Sequence, residues 1–478
     1  MKKRLQVIAV ALAAAILLFL IGLLILPDAS NKSKPAVPIE NAAQVYADAL
    51  PAVVSAQDMT LNISKTQEMA IGSEFFVETS EQRLACTGIG TDDFRASATE
   101  ALSIDSYSVS FNEAFSNNTG YVLINDSCFS GTITAEEYLT RFAPAILLDH
   151  TLYGSITGVD NGDQYVITFA QPYTAETWAL SENAALVNAE GIAYVSYDGQ
   201  LTKSIYNLTY KLGKSQFQMT YAVDVVLSCD EINLPDTNTT CIPINYLDGP
   251  RMLERASGYL LQANNVSAHY NDDIYFQAFG DARTQDITLH MTKNENWSAF
   301  VQTLTTLKND SRVGQDSQLK KAELFTGNTY QASVDDQAPV VNNDITADEM
   351  YNYCQNILVG TVMLPEHITG AQLVETEQSI RIQYSASDEF AVLISSNACH
   401  SLYQEPELLN DLAQSRTTDK LECYLELDRI TGLPIASGIS YSGAHNIEGL
   451  PYSLSYQADQ IYNILSQNAQ EEINKAAE

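Results

Sequence analysis

Residues 133–158 read ITAEEYLTRFAPAILLDHTLYGSITG, and residues 345–370 read ITADEMYNYCQNILVGTVMLPEHITG. The offset is 212 positions, and the same offset relates Val54-Ser55-Ala56 to Val266-Ser267-Ala268. Several matches at one offset mark a duplicated unit, so the chain carries one fold twice. Each quoted stretch opens as a helix. Thr134 and Thr346 stand as N-caps, with Glu137 and Glu349 three positions on. That is the spacing of a capping box, in which hydroxyl and carboxylate each satisfy an orphan backbone N–H. Tyr138, Phe142, Ala145 and Ile146 then follow at helical spacing, as do Met350, Cys354, Ile357 and Leu358. One stripe of each helix is meant for burial.

Around these helices the pattern turns to period two. Met59, Leu61 and Ile63 alternate with polar neighbours, and strand-like runs continue at residues 74–80, 107–111 and 120–124. Beyond the capped helices, residues 166–169 correspond to 380–383. Ala193, Val195 and Tyr197 correspond to Cys423, Leu425 and Leu427. Turns at Asp198-Gly199 and at 428–432 lead into hairpins, 204–212 with 216–226 and 436–441 with 452–458. Phe217, Met219 and Tyr221 share one strand face, as do Tyr452, Leu454 and Tyr456. This predicts an antiparallel sheet with one apolar and one wet face, covered by the capped helix. Residues 41–54 read as a further helix, interrupted by Pro51 and placed just outside the membrane. Trp297, Phe300, Val301, Leu304 and Leu307 read as a helical stripe of the second copy without a counterpart in the first. Residues 405–420 read as an insertion in the second copy, with room for a short helix.

The 478-residue chain has 59 acidic and 25 basic residues, a net charge of −34. Such a field repels phosphate backbones, which argues against nucleic acid as a partner. A basic stub, residues 1–6, precedes an unbroken apolar run at 7–26. At ~1.5 Å per residue the run is long enough to cross a ~30 Å hydrocarbon core. It predicts a transmembrane signal anchor with the N-terminus in the cytoplasm and the bulk of the chain outside a cell membrane. Residues 27–39 form a polar linker.

Seven cysteines suit an exported chain. The expected pairs are Cys229–Cys241 across a turn-rich loop, Cys399–Cys423, and Cys86–Cys128. No zinc spacing, H-E-x-x-H or G-x-S-x-G occurs, and the six histidines are scattered. The adjacent Cys399-His400 is no catalytic pair by sequence alone. The chain is therefore expected to be no enzyme and to need no cofactor or metal.

The order of helix, strand run, Gly-Tyr strand, capped helix, strand, Asp-Gly turn and long hairpin resembles the LolA-like lipoprotein-carrier superfamily, and more closely its membrane-tethered Gram-positive relatives of unknown function. The resemblance rests on Val195-Ser196-Tyr197-Asp198-Gly199 with the hairpin to Val226, and on Leu427-Asp428 through Gly432-Leu433-Pro434 with the hairpin to Ala458. It implies an α+β fold of two tandem domains, 40–240 and 251–465. Each would be a curved antiparallel sheet, a partly open barrel, covered by helices, and a polar tail would follow at 466–478. It also implies an apolar cavity for a lipid or lipopeptide, lined by Tyr210, Phe217, Met219 and Tyr221, and by Tyr441, Tyr452, Leu454 and Tyr456. The alternative is a structural or sensory ectodomain that works through protein contacts and has no ligand cavity.

Overall fold

The protein is represented by a computed structural model. It describes residues 36–71, 74–142, 153–172, 184–212, 215–229, 231–235, 239–277, 281–293, 297–310, 315–327, 329–342, 344–376, 379–402, 416–429, 431–447, 449–464 and 468–477. The apolar run at 7–26, together with Ala145 and Ile146, lies outside them. Among the described residues no helix is long and apolar enough to cross a membrane.

The first copy supplies β1 (Val37–Pro38), α1 (Ala42–Val54), β2 (Met59–Ile71), β3 (Glu74–Thr87), β4 (Arg95–Ile104), β5 (Tyr107–Ser116), β6 (Thr119–Ile124), β7 (Ser127–Thr132), α2 (Ala135–Thr140), β8 (Tyr153–Asp160), β9 (Tyr165–Pro172), β10 (Ala184–Val195), β11 (Leu201–Leu212) and β12 (Ser215–Val226). A short β13 (Ile242–Pro243) leads to the second copy. That copy comprises α3 (Gly249–Gln262), β14 (Asn265–Phe276), β15 (Asp281–Thr292), β16 (Ser298–Asp310), β17 (Gln315–Thr326), β18 (Thr329–Val334), β19 (Val340–Asn342), α4 (Ala347–Val359), β20 (Ile368–Glu375), β21 (Ser379–Ala386), α5 (Asp388–Leu402), β22 (Arg416–Asp428), β23 (Pro434–Ile447), β24 (Leu450–Ile464) and α6 (Ala469–Ala477).

Among the described residues these make two large sheets. The first runs β1-β8-β9-β10-β11-β12-β2-β3-β4-β5-β6-β7-β13, and the second β19-β18-β17-β16-β15-β14-β24-β23-β22-β21-β20. In both, the last strand of the copy closes onto its first, β12 on β2 and β24 on β14. The duplication therefore extends to strand order. Both capping boxes form. Thr134 N–H donates to Glu137 at 2.8 Å and Glu137 N–H to Thr134 Oγ1 at 3.1 Å; Thr346 and Glu349 do the same at 2.8 and 3.2 Å. Tyr138, Phe142, Met350, Cys354 and Leu358 are buried, and Ile357 is half-buried.

Four expectations are corrected. The stripe from Phe300 to Leu307 is strand β16, the counterpart of β4. Its Thr-rich alternation pairs with β15 and β17, which buries Ala299 and Val301 on one face. The helix expected at 41–54 forms over 42–54 but runs through Pro51 without interruption, burying Tyr46, Ala49 and Val53, and Val37 and Pro38 in the linker pair with β8. Of the insertion, residues 403–415 lie outside the described residues and Arg416–Lys420 belong to β22, while the helix α5 precedes it. The tail forms α6 with Ala469 and Ile473 buried.

The cysteines pair differently as well: Cys128 bonds Cys241. Cys86 lies in the buried row Cys86-Ala96-Phe115, whereas Cys128 opposes Leu123 and Asn112 on the other face. Four strand spacings, roughly 19 Å, also separate β3 from β7. Cys229 and Cys241 lie at the two ends of a segment that crosses the first sheet, and Asn233 N–H meets Ser97 on β4 at 3.3 Å on the way. Cys399 and Cys423 are buried thiols in one core.

The disulfide fixes the segment that joins the two sheets. Ile242 pairs in parallel with Phe129, and Ile244 N–H donates to Ser130 O at 2.8 Å. The next two amides, Asn245 and Tyr246, turn to the other sheet and donate to Ala371 O at 3.1 and 3.0 Å. Helix α3 is then inserted between the sheets. Leu253 and Ala256 belong to the core shared with β20–β24, and Tyr259 and Leu260 to the core shared with β2–β4. At Gly258 any β-carbon would fall 2.6 Å from the Tyr107 ring, which is why that position has no side chain.

Charge locks the insertion. The buried face of the first sheet carries Glu78, Glu100 and Glu113 on adjacent strands. Arg255 Nε and Tyr259 Oη each donate to Glu78 Oε2 at 2.6 Å, and Lys65 lies 3.2 Å from Oε1. Arg251 pairs with Glu100, and Arg141 grips Glu113 at 2.6 and 3.0 Å while also pairing with Asp248. Burial pushes the Glu78 carboxyl up, but Arg255, Lys65 and the hydrogen bonds outweigh it and bring it to about 2.

Two outcomes follow from this architecture. Cys241→Ser removes the crosslink at the junction and should lower unfolding free energy by about 4 kcal/mol in urea titrations. Glu78 titrates lower folded than unfolded, so its stabilisation is complete above its ordinary 4.5 and is lost as pH falls toward about 2. Glu78→Gln should flatten the decline of stability over that window and cost about 3–5 kcal/mol at neutral pH, because Arg255 is left buried without its charge partner.

Candidate functional site

The eight residues expected to line an apolar cavity lie on the buried strand faces. Tyr210 stacks on Phe217, ring centroids 5.0 Å apart, and both are buried. Tyr206 stacks on Tyr221 at 5.0 Å, and Met219 packs half-buried between these pairs against the same core. Tyr441 and Leu454 are buried, Tyr452 is packed against that second core, and Tyr456 Oη lies 3.0 Å from Tyr270 Oη. Burial pushes the Tyr456 phenol up to about 12 and the Cys399 thiol to about 11, so neither supplies an anion at neutral pH.

A hollow lies on the opposite, wet face of the second sheet. Long antiparallel strands twist, and the hollow lies on such a polar face. Two adjacent cross-strand rows make its floor and walls. One is Thr306-Thr284-Asp273-Gln457-Ser440; the other is Lys308-Ala282-Tyr275-Ser455-Ser442. The hollow has a volume of about 460 Å³. Tyr275 stands on its wall 45% exposed, a large ring presented to water. Only the backbone side of Ile274, Tyr441 and Tyr456 faces it, since their side chains project to the buried face.

A second, smaller hollow of about 160 Å³ continues across β23, sharing Ser440 and Gln457 with the first. Tyr424 forms its centre. The ring lies over Gly438, where a β-carbon would run into it and would also come within 2.8 Å of Ala458 O. Its hydroxyl donates to Asp459 Oδ1 at 2.9 Å, and Gln457 Nε2 donates to Asp459 Oδ2 at 2.9 Å. The Arg381 guanidinium is 3.8 Å from the ring centroid, a cation–π contact that holds both flat. Burial and the Asp459 carboxylate keep the phenol protonated.

A polar sheet face in water is ordinary. What distinguishes this one is concavity combined with a dense set of hydroxyl, amide and carboxylate groups and two tyrosine rings. The chemistry on offer is hydrogen bonding and ring stacking. Sequence reading put Ser455 on the polar side of the second hairpin, opposite Tyr452, Leu454 and Tyr456, but made no strand of residues 265–276, and nothing in the alternation distinguishes a hollow wet face from a flat one. The signals that could have marked it are Tyr275 and Tyr424, aromatics at positions where the pattern requires polar residues.

No family model matches the chain, and no curated protein matches it. Among solved structures, LprF from Mycobacterium bovis is similar over 42% of this chain and 98% of its own, at 9% identity and a TM-score of 0.23. A putative AttH from Nitrosomonas europaea is similar over 85% of this chain and 92% of its own, at 9% identity and a TM-score of 0.13. OccK3 from Pseudomonas aeruginosa covers 89% of this chain at a TM-score of 0.10 and 9% identity. Likenesses at these scores carry no weight for fold or function, so the site rests on its own geometry.

If Tyr424 is seated by the bare backbone beneath it, Gly438→Ala should displace the ring and break its bond to Asp459. The expected cost is about 1–3 kcal/mol in unfolding free energy, with a changed ring environment in the NMR spectrum of tyrosine-labelled protein. Ser440→Ala on the next row should change neither.

Proposed function

We propose that the chain is a membrane-tethered, extracytoplasmic binding module that takes a polar ligand on the wet face of its second sheet. The observation that carries this reading is the 460 Å³ hollow with its polar walls and exposed Tyr275. The tether is supported by the apolar run at 7–26 behind a basic stub. No nucleophile, base and oxyanion donors converge in the groove, so binding is proposed without a reaction. Its charge is near balance: Asp273, Glu422 and Asp459 against Lys308 and Arg381. In a chain of net −34 that local balance suits an uncharged ligand better than a polyanion or a polycation.

A hydrophobic ligand is the second reading. It is favoured by Met219 and Tyr221, which stay half-exposed beside the stacked pairs of the first sheet. An acyl chain there would have to part those rings. A polar ligand in the groove has no such cost.

Native mass spectrometry of the full chain, with an organic extract of the same sample, separates the two. The groove reading expects no co-purified lipid, and Ser440→Trp, which fills the hollow, should abolish ligand binding without lowering the melting temperature. A stoichiometric lipid that is lost in Met219→Asp and retained in Ser440→Trp would overturn it.

A further inference from the structure

Resting on the reading of the groove as the binding site, we infer that its ligand is a chain, a linear neutral oligosaccharide lying across the strands. The two hollows are one track. They share Ser440 and Gln457, and together they run from Thr306 on β16 to Gln383 on β21. Six strand spacings separate those strands, roughly 29 Å. A single sugar or a small metabolite occupies a fraction of that length.

The rings set the repeat. Tyr275 and Tyr424 both project from the wet face, three strands apart and, because Tyr424 lies in the row of Asn271, four residues apart along them, a diagonal of roughly 20 Å. That is the span of a tetrasaccharide, so one chain can reach both rings. Tyr424 is pre-set for this: Gly438 lies under its ring, the Arg381 guanidinium over it, and Asp459 holds its hydroxyl, so the ring edge and the guanidinium meet the chain already in place. A fixed group loses little entropy when a sugar packs against it. Between the rings the floor presents Asp273, Gln457, Ser440 and Ser455, alternating acceptors and donors that match a row of hydroxyls. An extended peptide would meet no free sheet edge here, because each of these strands is paired on both sides, and an acyl chain would strand the same groups unbonded.

The test is titration of the full chain, held in detergent, with two neutral ladders, glucose oligomers and N-acetylglucosamine oligomers, each from monomer to hexamer. Affinity should rise steeply at the length that reaches both rings and then level off. Tyr275→Ala, an exposed position that leaves the fold intact, should weaken the long oligomers by about ten-fold and leave the monomer unchanged. Tyr424→Leu should do the same from the other end, and thermal unfolding checks that it folds. Binding with equal affinity for monomer and hexamer would overturn the chain inference while leaving the groove as a site. If no member of either ladder binds, or if binding persists in Ser440→Trp, the groove itself is wrong and the inference falls with it.

Discussion

Three carboxylates on the buried face of the first sheet must be neutralised, and most of the cations that do so come from outside that sheet. Glu78, Glu100 and Glu113 stand on adjacent strands where water does not reach. An unpaired carboxylate there costs several kcal/mol, more than a typical margin of domain stability can absorb for all three together. Arg251 and Arg255 lie on α3, which begins the second copy, and Arg141 follows α2. Arginine suits the task because its planar fork stays charged in a dry setting and reaches two acceptors at once. The first sheet is therefore complete only with α3 in place, and α3 in turn packs on β20 and β23 of the second sheet. Two tandem copies become one interlocked body for electrostatic reasons as much as apolar ones.

The second copy solves the same problem by other means. Glu323 occupies on β17 the place that Glu113 has on β5, two residues before the phenylalanine of each hairpin. It too is buried, yet among the described residues no arginine pairs with it. Tyr330 donates to it at 2.5 Å, Tyr353 at 3.3 Å, and Lys321 lies 2.8 Å away. Tyr353 stands at the repeat position of Arg141. Duplicated folds drift apart in this way once one copy must receive a foreign helix and the other need not.

How much of this was legible follows from range. Capping boxes, hairpins and the alternation of β12 and β24 are local, and the sequence pattern reads them correctly at Thr134, Thr346, Phe217 and Leu454. β16 reads as a helix because Trp297, Phe300, Val301 and Leu304 fall at helical spacing, whereas the row it buries, Ala299, Val301 and Thr303, carries little apolar signal, and only pairing on both sides decides. The disulfide was misread because proximity in sequence stood in for proximity across strands: Cys241 lies twelve residues after Cys229 but beside Cys128 in space. The closure of β24 on β14 and the insertion of α3 join residues roughly 200 positions apart, which no local pattern records. The groove is subtler still, because curvature belongs to the whole sheet and not to any strand.

That the groove lies on a wet face also has a physical reason. Both buried faces are occupied by helices and core side chains, so only wet faces remain. On the first sheet the wet row Ala85-Ser97-Ala114 is itself buried, with Asn233 of the segment leading to Cys241 hydrogen-bonded to Ser97. The segment that joins the copies thus covers one end of that face, while Glu81, Thr99, Ala101, Ser110 and Asn112 of the same face stay exposed. On the second sheet α6 covers one end, where Asn265, Thr292 and Ser298 are buried, and the remainder stays open. The open part of the second face carries the exposed ring of Tyr275. The two copies, alike in strand order, differ for that reason in which end of the wet face is covered, by the connecting segment on one and by α6 on the other.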